Sequence, residues 1–410
     1  MRQHEQPFIP VVVGTDINAY STVRSFHEQF GVRSQVIGKF RMGFTAYSGI
    51  CDVQLVEDLN DDDVFLTELT ALAERLEARH PGVPRVLVGC HDAYVRLIVT
   101  HAAALDELYR FNTPSPELLE TFQTKEQFYA LAAQHGLEIP ATQFHQVGEP
   151  FEVEVDRYPV IVKPSNVIEF WAKPYPGQKK IYRLNSEAEV RDTIAAVEAS
   201  GYSDSLIIQE YIPGDDTNIW DAILYLNTEG RCELVTLAQV VLQEHEDQYI
   251  GAYTAMISRY EPELMRRLQA FHEAVGYTGI ANADLKYDPR DGVHKLLEVN
   301  VRQGRSSWFA AQLGHDVFGY LVDDVVHQRR RQLTLAQGDA LFTVVPPAIL
   351  RKYVTEPEAQ ADVRRLLKAG RWGNPLRYRA DRSWKRTAFL ARRDLRYRKI
   401  YANSTWRETA

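Results

Sequence analysis

Apolar residues recur along the chain at two spacings, and these predict strands that alternate with helices. Residues 8–13 form a β-branched run, after which apolar side chains recur at helical spacing up to Gly31. Short apolar runs follow at 35–37 and 86–88, with a helical stripe between them. This alternation favours an α/β domain built on a mainly parallel sheet at the start of the chain.

A second pattern, in the last third of the chain, predicts a β-hairpin. The apolar-rich runs 280–287 and 293–299 are separated by a turn in which Pro289 presets one backbone dihedral and Gly292 tolerates a left-handed one. The chain is therefore expected to form a strand, a turn and a second strand here.

The predicted hairpin carries a group of charged and polar side chains. Side chains alternate faces along a strand, so Asp284 and Lys286 share one face, and Glu298 and Asn300 share a face of the second strand. If the two faces meet, two carboxylates and an amide oxygen converge. Hard oxygen donors of this kind suit Mg²⁺ or Mn²⁺, and Arg302 supplies a cation nearby. The alternative is a surface hairpin with solvated charges.

Two predicted strands of the first domain end in polar loops. Ligands of open α/β sheets bind beyond the carboxyl ends of the strands. The loops lack the G-x-G-x-x-G spacing of a dinucleotide site, and ordinary loop structure is the alternative to substrate binding. The candidates for binding an acid substrate are Gly14, Thr15, Asp16, His91 and Asp92.

Two lysines and a strand in the middle of the chain also stand out. Thr124 and the residues after it predict a capped helix that begins at Lys125, and Lys163 lies at the end of an apolar strand, where contact with a ligand is more natural than solvation. A further strand over 206–212 leads into a turn that contains Asp216.

Composition and charge set the class of protein. The chain has 410 residues and 45% hydrophobic content, which predicts a globular protein of two or three domains. It lacks a spanning apolar run and a signal-type start, so a cytoplasmic location is expected, and its three cysteines show no metal or disulfide spacing. No nucleic-acid partner is predicted. The net charge of −8 divides into −19 before Leu341 and +11 from there on. The basic segment either meets an anionic partner or covers the acidic body.

The motifs between Lys125 and Ser307 are the two lysines, the strand that leads to Asp216 and the charged hairpin. In this order along the chain they resemble the motifs of the ATP-grasp superfamily of carboxylate–amine ligases. The resemblance implies ATP and Mg²⁺ (or Mn²⁺) as cofactors. Its glycine-rich lid is not matched, because residues 165–180 contain only Gly177 among aromatic residues. The implied roles are phosphate binding by Lys125 and Lys163, adenine binding by backbone groups around Glu210, Tyr211 and Ile212, ribose binding by Asp216, metal binding by Asp284, Glu298 and Asn300, catalysis by Arg302 and Lys286, and a place near the metal and phosphates for Arg305 and Ser306.

The resemblance implies an α/β (α+β) fold in three parts. A Rossmann-like preATP-grasp domain covers 1–119. The ATP-grasp domain covers 120–335, with a lid subdomain at about 151–212 and a central antiparallel sheet. A basic C-terminal extension covers 336–410.

Three stretches, which begin at residues 8, 112 and 284, look like the D-aspartate ligase group within that superfamily. The resemblance implies that a carboxylate, D-aspartate, is activated as an acyl phosphate and joined to the lysine side chain of a UDP- or lipid-linked peptidoglycan precursor. A peripheral contact with the inner membrane surface is left open. The alternatives are an amide ligase that makes a small peptide metabolite and a nucleotide-binding regulator without turnover.

Overall fold

The computed structural model of the protein describes residues 7–152, 155–246 and 251–404. The chain divides into two compact units. Unit 1 comprises Met1–Phe122, Asp215–Asp284 and Val299–Ala410, and unit 2 comprises Gln123–Gly214 and Leu285–Glu298.

The strands of the described residues are named in chain order. They are β1 (Ile9–Val13), β2 (Ser34–Gly38), β3 (Cys51–Leu55), β4 (Arg85–Gly89), β5 (Thr142–Gln146), β6 (Val160–Pro164), β7 (Tyr182–Leu184), β8 (Ser205–Glu210), β9 (Ile219–Leu226), β10 (Cys232–Gln243), β11 (Tyr253–Arg259), β12 (Gly279–Asp288), β13 (Val293–Asn300), β14 (Thr334–Leu335), β15 (Leu341–Thr343) and β16 (Trp372–Gly373).

The helices are named in the same way. They are α1 (Ile17–Phe30), α2 (Gly43–Ala46), α3 (Asp62–Arg79), α4 (Asp92–Thr100), α5 (Ala102–Leu105), α6 (Pro116–Gln123), α7 (Lys125–Gln134), α8 (Val167–Ala172), α9 (Glu187–Ala199), α10 (Pro262–Ala274), α11 (Trp308–Gln312), α12 (Val317–Val325), α13 (Pro347–Tyr353), α14 (Pro357–Lys368) and α15 (Trp384–Asn403).

The first part of unit 1 is a four-stranded parallel sheet in the order β3-β2-β1-β4. Val11, Val12 and Val13 of β1 are fully buried, as a central strand covered on both faces requires. Helix α1 ends at Phe30, and Gly31 after it has φ 72°, which makes it a left-handed C-terminal cap. The predicted parallel α/β domain is confirmed, although β3 was not predicted.

The second sheet is mainly antiparallel and has the strand order β13-β12-β9-β10-β11-β15-β16, with β14 paired to β10. The strands β12 and β13 are the predicted hairpin, and Gly292 in its turn has φ 75°. Strands β9 and β10 are almost wholly buried. This sheet carries the charged side chains of the hairpin.

Unit 2 contains a four-stranded sheet in the order β5-β8-β6-β7, and its antiparallel pairs place Lys163 of β6 beside Ile207 of β8. Helix α7 begins at Lys125 as predicted, but the Thr124 side chain makes no capping hydrogen bond, so the predicted cap is wrong. Strand β8 ends at Glu210, two residues earlier than predicted, and Tyr211 and Ile212 follow it.

The basic C-terminal segment folds within unit 1 as far as residue 404. Its helices α13, α14 and α15 bury apolar side chains such as Leu350, Val363 and Leu390 in one core with residues of the first sheet. In the part of the chain that the structure describes, no helix is long and apolar enough to span a membrane. Residues 405–410 of the predicted extension lie outside the described residues.

Candidate active site

Asp284 of β12 is the centre of a polar group in unit 1. Its Oδ1 accepts a hydrogen bond from the Tyr253 hydroxyl at 2.8 Å, and its Oδ2 accepts one from Asn300 Nδ2 at 3.0 Å. Asn300 Oδ1 in turn accepts from Arg302 at 3.3 Å. The structure thus brings together three of the predicted residues, Asp284, Asn300 and Arg302, and adds Tyr253.

Arg302 connects this group to the carboxyl ends of the parallel strands. Its guanidinium lies 3.0 Å from the Asp92 carboxylate, at the start of α4. The Asp16 side chain caps α1 through the amide of Ala19 and lies 3.5 Å from His91 Nε2. The predicted substrate residues therefore lie at the same sheet end as Arg302.

A buried network joins α1 to the segment after β13. Asn18 Nδ2 donates to the carbonyls of Cys90 (2.9 Å) and Gln303 (3.1 Å), and Gln303 Nε2 donates to Thr22 Oγ1 at 3.2 Å. These bonds hold the backbone beside Arg302 against the first sheet. Burial raises the pKa of the Cys90 thiol, so it is a neutral member of the network.

Arg305 is held by a carboxylate that the sequence did not single out. Its guanidinium lies 2.8 Å from Glu244, which also accepts a hydrogen bond from the Tyr397 hydroxyl of α15 at 2.5 Å. Glu244 is buried, so its charge requires these partners. The C-terminal helix thereby orients a predicted substrate residue.

Ser306 points toward a buried acid beneath the site. Its hydroxyl donates to Asp221 Oδ2 at 2.6 Å, and Asn282 Nδ2 donates to Asp221 Oδ1 at 2.9 Å. Burial raises the pKa of Asp221 to about 7, against the two hydrogen bonds that lower it. Ser306 therefore has a structural partner in addition to any contact with substrate.

Asp216, the predicted ribose-binding acid, is also fixed within unit 1. Its carboxylate accepts from the side chain and the backbone amide of Gln243, at 2.6 and 3.1 Å. The Gln243 carbonyl accepts from the Tyr401 hydroxyl of α15 at 2.6 Å. Helix α15 thus holds the end of β10, next to Asp216.

In unit 2 the predicted phosphate-binding lysines lie in one polar group. Lys125 Nζ is 3.0 Å from Glu298 Oε2, and Lys163 Nζ donates to Gln209 Oε1 at 3.1 Å. Gln209 is fixed by bonds to Tyr129 and Thr142. Burial, and then the charge of Lys125, lower the pKa of Lys163 to about 8.

The predicted adenine segment carries a second group of charges. Glu210 accepts from Lys295 (2.7 Å) and Arg290 (2.7 Å), and the same two cations contact the buried Asp288. These cations, acting against burial, lower the pKa of Glu210. The Glu210 side chain therefore anchors the hairpin turn within unit 2.

Tyr211 is covered by cations. The guanidinium of Arg183 lies 4.2 Å from its ring centroid and the ammonium of Lys286 lies 5.4 Å from it. Its amide donates to the Pro159 carbonyl at 3.3 Å, and Ile212 beside it is buried. Lys286 thus lies beside the predicted adenine segment.

The glycine-poor lid segment contains α8 and is organised by aromatic contacts. The ring of the buried Phe170 packs edge-on against Tyr175 and Tyr202, with centroids 6.0 and 5.6 Å away. Trp171 next to it is 50% exposed. The segment therefore has one exposed aromatic ring, that of Trp171, next to the packed ring of Phe170.

The residues present fit a magnesium ion by donor type. Asp284, Glu298 and Asn300 offer carboxylate and amide oxygens, which Mg²⁺ prefers. In unit 1 the Asn300 amide presents its nitrogen to Asp284, so binding a metal there requires the amide to turn its oxygen inward. Among the described residues no group of three His, Cys, Asp or Glu side chains is placed to hold a metal ion.

The residues that sequence reasoning missed are mostly partners of predicted ones. Asp221 and Glu244 lie 85 and 61 residues from the side chains they hold, so no local spacing reveals them. Gln209 had a usable signal, because a polar residue within the buried strand β8 needs a partner. Convergence of the complete predicted set at one centre stays a prediction.

No protein-family model matches the chain. The D-aspartate ligase of Enterococcus faecium (strain Aus0004) is 31% identical over 392 residues, which cover 93% of each sequence.

Among solved structures, the L-amino acid ligase from Bacillus licheniformis is 14% identical, with a TM-score of 0.54 over 79% of this chain and 75% of that one. The biotin carboxylase domain of the Hydrogenobacter thermophilus 2-oxoglutarate carboxylase, in complex with MgADP, ADP and bicarbonate, is 15% identical. It has a TM-score of 0.58 over 82% of this chain and 74% of that one. At these identities the two structures show a shared fold alone.

Proposed function

Because the chain belongs to the ATP-grasp carboxylate–amine ligases, in the group of the D-aspartate ligases, we propose that it joins D-aspartate to the lysine side chain of a peptidoglycan precursor. The substrate carboxylate attacks the γ-phosphorus of ATP to give an acyl phosphate and ADP. The amine then displaces phosphate and forms the amide. No protein nucleophile is needed for either step.

The observation that carries the proposal is the pair of lysines in unit 2. Lys163 is half-buried beside Gln209, and its lowered pKa reflects burial and the nearby Lys125. Two cations held close together with one carboxylate, Glu298, favour an anionic ligand, and the triphosphate of ATP supplies that charge.

We assign the remaining ATP contacts to the segment after β8. Backbone groups around Glu210, Tyr211 and Ile212 bind the adenine edge, and Asp216 binds the ribose. Lys286 and Arg183 over the Tyr211 ring hold that segment in place, which supports a positioning role for Lys286.

The metal and the charge of the transition state involve the ends of the hairpin strands. Asp284, Glu298 and Asn300 would hold Mg²⁺, which would offset the negative charge of the phosphates. Arg302, oriented by Asp92 and Asn300, stabilises charge on the transferring phosphoryl group.

We place the amino-acid substrate at the sheet end beside Arg302. Arg305 offers a fixed cation to a carboxylate, since Glu244 and Tyr397 set its orientation. The other proposed substrate residues are Gly14, Thr15, Asp16, His91, Asp92 and Ser306.

The acceptor and the location complete the proposal. The acceptor is a UDP- or lipid-linked precursor with a free lysine amine, and the protein acts in the cytoplasm with a peripheral contact at the inner membrane surface. The functional parts are 1–119, 120–335 with a lid at about 151–212, and 336–410.

The test is ADP release from the full chain with MgATP, a lysine-containing UDP-linked precursor and a panel of amino acids. The panel contains D-aspartate, L-aspartate, D-glutamate, D-asparagine and D-alanine. D-Aspartate alone is expected to give precursor-dependent ADP release, and mass spectrometry of the acceptor should show one added aspartyl residue.

Other outcomes decide against the proposal. Turnover with a different amino acid and an amino-acid acceptor would identify a ligase that makes a small peptide. Nucleotide binding without ADP release from any member of the panel would identify a regulator. Glu298→Gln serves as the inactive control for contaminating ATPases.

A further inference from the structure

The outer face of α15 carries apolar residues exposed to solvent. Trp384 is 78% exposed and Leu395 is 58% exposed. They lie eleven residues apart, so they share one side of the helix, together with the exposed Ala388, Ala391 and Ala402. This line is an exposed apolar face of α15.

Cations flank this apolar line. Lys385, Arg392, Arg398 and Lys399 are all exposed. The only acid in the helix, Asp394, pairs with Arg377, so no carboxylate of α15 offsets the exposed cations. The outer face therefore combines an apolar centre with positive edges.

The opposite side of α15 is anchored, so the helix presents this face in a fixed orientation. Arg386 donates to the Phe44 carbonyl at 2.7 Å, and Tyr401 bonds to Thr254 and Gln243. Arg393 donates to the Val344 carbonyl, and Arg396 pairs with Glu246 at 2.8 Å. These cations of the basic segment are used within the fold. On the outer face, the Lys385 ammonium lies 5.7 Å from the Trp384 ring centroid, and Arg392, Arg398 and Lys399 are exposed.

A second exposed segment of the same composition adjoins the start of α15. Phe40 is 64% exposed and Met42 is 37% exposed, and Lys39 and Arg41 alternate with them along the chain. The segment leads into α2, whose Phe44 packs edge-on against Phe389 of α15 with centroids 5.1 Å apart.

We propose that the outer face of α15 docks the protein on an anionic phospholipid bilayer. A helix with Trp and Leu along one line and Lys and Arg at its edges lies in the plane of the headgroups, with the apolar residues inserted and the cations on lipid phosphates. The charge of the chain supports this choice, because the −19 of residues 1–340 is repelled by such a surface and only the basic segment is attracted. The inference rests on the proposed function for its purpose, since docking brings the ligase to a lipid-linked acceptor.

The experiment is co-sedimentation of the full chain with vesicles, without ATP or amino acid. Phosphatidylcholine vesicles are compared with vesicles that contain about one third phosphatidylglycerol, at physiological salt and at about 0.5 M salt. We expect binding to the anionic vesicles alone, and loss of that binding at high salt. The double variant Arg392→Gln/Lys399→Gln should bind the anionic vesicles at least roughly tenfold more weakly. The double variant Trp384→Ser/Leu395→Gln should also lose binding.

Matched controls separate the face from general charge and aromatic content. Arg364→Gln/Lys368→Gln removes two exposed cations from α14, and Tyr260→Ser removes an exposed aromatic residue; both should bind as the unaltered chain does. Circular dichroism of each variant checks that it is folded.

Three results would overturn the inference: no binding of the unaltered chain to anionic vesicles, equal loss in the α14 control, or a dimer in sedimentation analysis that the α15 variants convert to monomer. The last result would identify a second copy of the chain as the occupant. Turnover with soluble UDP-linked acceptor, measured in parallel, should be unchanged by the α15 variants. Absence of turnover together with intact vesicle binding would reject the proposed function and leave the docking surface in place.

Discussion

Single side chains in unit 2 show how charge is prepared for an anionic ligand. Lys125 has a carboxylate partner in Glu298, whereas Lys163 donates to a neutral amide. Partial burial disfavours the ammonium, and the positive charge of Lys125 nearby disfavours it further, which is why the pKa of Lys163 falls to about 8. A bound phosphate would restore the charged form, so ligand binding and protonation of Lys163 are expected to be coupled.

Nucleotide affinity should therefore depend on pH through Lys163. The folded pKa of about 8 lies below the ordinary 10.5, so the ammonium is present at pH 7 and is lost as pH rises through 8. We expect the Kd for ADP to rise roughly tenfold between pH 7 and pH 9. Lys163→Met should bind more weakly at pH 7 and show little of this dependence.

Calorimetry in two buffers of different ionisation enthalpy measures the Kd for ADP and the number of protons taken up on binding. Binding near pH 8.5 should take up protons. Lys173→Met, an exposed lysine beyond α8, is the matched control and should titrate as the unaltered chain does. Equal affinity of Lys163→Met and the unaltered chain would reject the phosphate contact.

Glu298→Gln should spare folding and remove most turnover. The amide keeps the shape but loses the charge that would hold the metal and that pairs with Lys125. We expect kcat to fall by about a hundredfold or more at limiting Mg²⁺. Steady-state assays over a Mg²⁺ series measure this, and activity equal to that of the unaltered chain at limiting Mg²⁺ would show that Glu298 is not a ligand.

The residues of the hairpin were predictable because alternation along a strand is a local rule. Asp284 and Asn300 lie on the predicted strands and meet at 3.0 Å. The buried acids Glu244 and Asp221 were not predictable, since their partners come from distant parts of the chain. Sequence spacing reveals which residues share a face of a strand. It does not reveal which distant residue forms a hydrogen bond or an ion pair with them.

The helices α10 and α15 each bury a polar side chain, His272 in α10 and Arg386 in α15. His272 lies on the buried side of α10 and was not singled out from the sequence. The strand β3 and the short helix α2 were missed because neither has a clear period; pairing with β2 and packing under Phe389 stabilise them instead. Tertiary contacts thus fix the elements that local pattern leaves undefined.

Helix α10 should make unit 1 sensitive to acid. His272 is fully buried among Phe122, Phe271 and Tyr277, and burial lowers its pKa to about 4. The unfolded chain takes up the proton first, so the contribution of a neutral His272 to the free energy of unfolding is complete above pH 6.5 and is lost as pH falls toward 4. The loss in the free energy of unfolding is on the order of 3 kcal/mol.

Thermal unfolding of His272→Phe should show a smaller change between pH 7 and pH 4.5 than the unaltered chain. The variant loses a bond to the Leu268 carbonyl, so its stability at pH 7 is expected to be slightly lower. An unaltered pH dependence in the variant would assign the acid sensitivity to other groups.

Helix α15 should contribute to substrate affinity through one hydroxyl. Tyr397→Phe removes the bond to the buried Glu244, which then has Arg305 as its partner. We expect a loss of about 1.5–3 kcal/mol in stability and a raised KM for the amino acid with the KM for ATP unchanged. Tyr260→Phe, which alters an exposed hydroxyl, is the control. A stability loss without any change in the amino-acid KM would make Tyr397 a structural residue only.

The whole molecule contains separate cores. Among the described residues, unit 2 has a core around Val162, Phe170 and Ile208, and unit 1 has larger ones, one of which includes the C-terminal helices. Charge is divided as well, with acidic residues before Leu341 and basic residues after it. The sequence predicted this charge asymmetry, and the structure shows that several of the basic residues are used as internal partners of the fold.

Separate cores lead to a prediction about unfolding of the full chain. We expect two thermal transitions, and MgADP should move mainly that of unit 2, because the two lysines proposed to bind its phosphates, Lys125 and Lys163, belong to that unit. At a ligand concentration of about 100 times Kd, mass action adds about 2.7 kcal/mol. Spread over the 106 residues of unit 2 (92 in Gln123–Gly214 and 14 in Leu285–Glu298), this is a shift of roughly 12 °C, whereas spread over all 410 residues it is about 3 °C. Differential scanning calorimetry distinguishes the two values. Lys163→Met should reduce the shift at the same MgADP concentration, and a shift of about 3 °C in a single transition would show that the chain unfolds as one cooperative body.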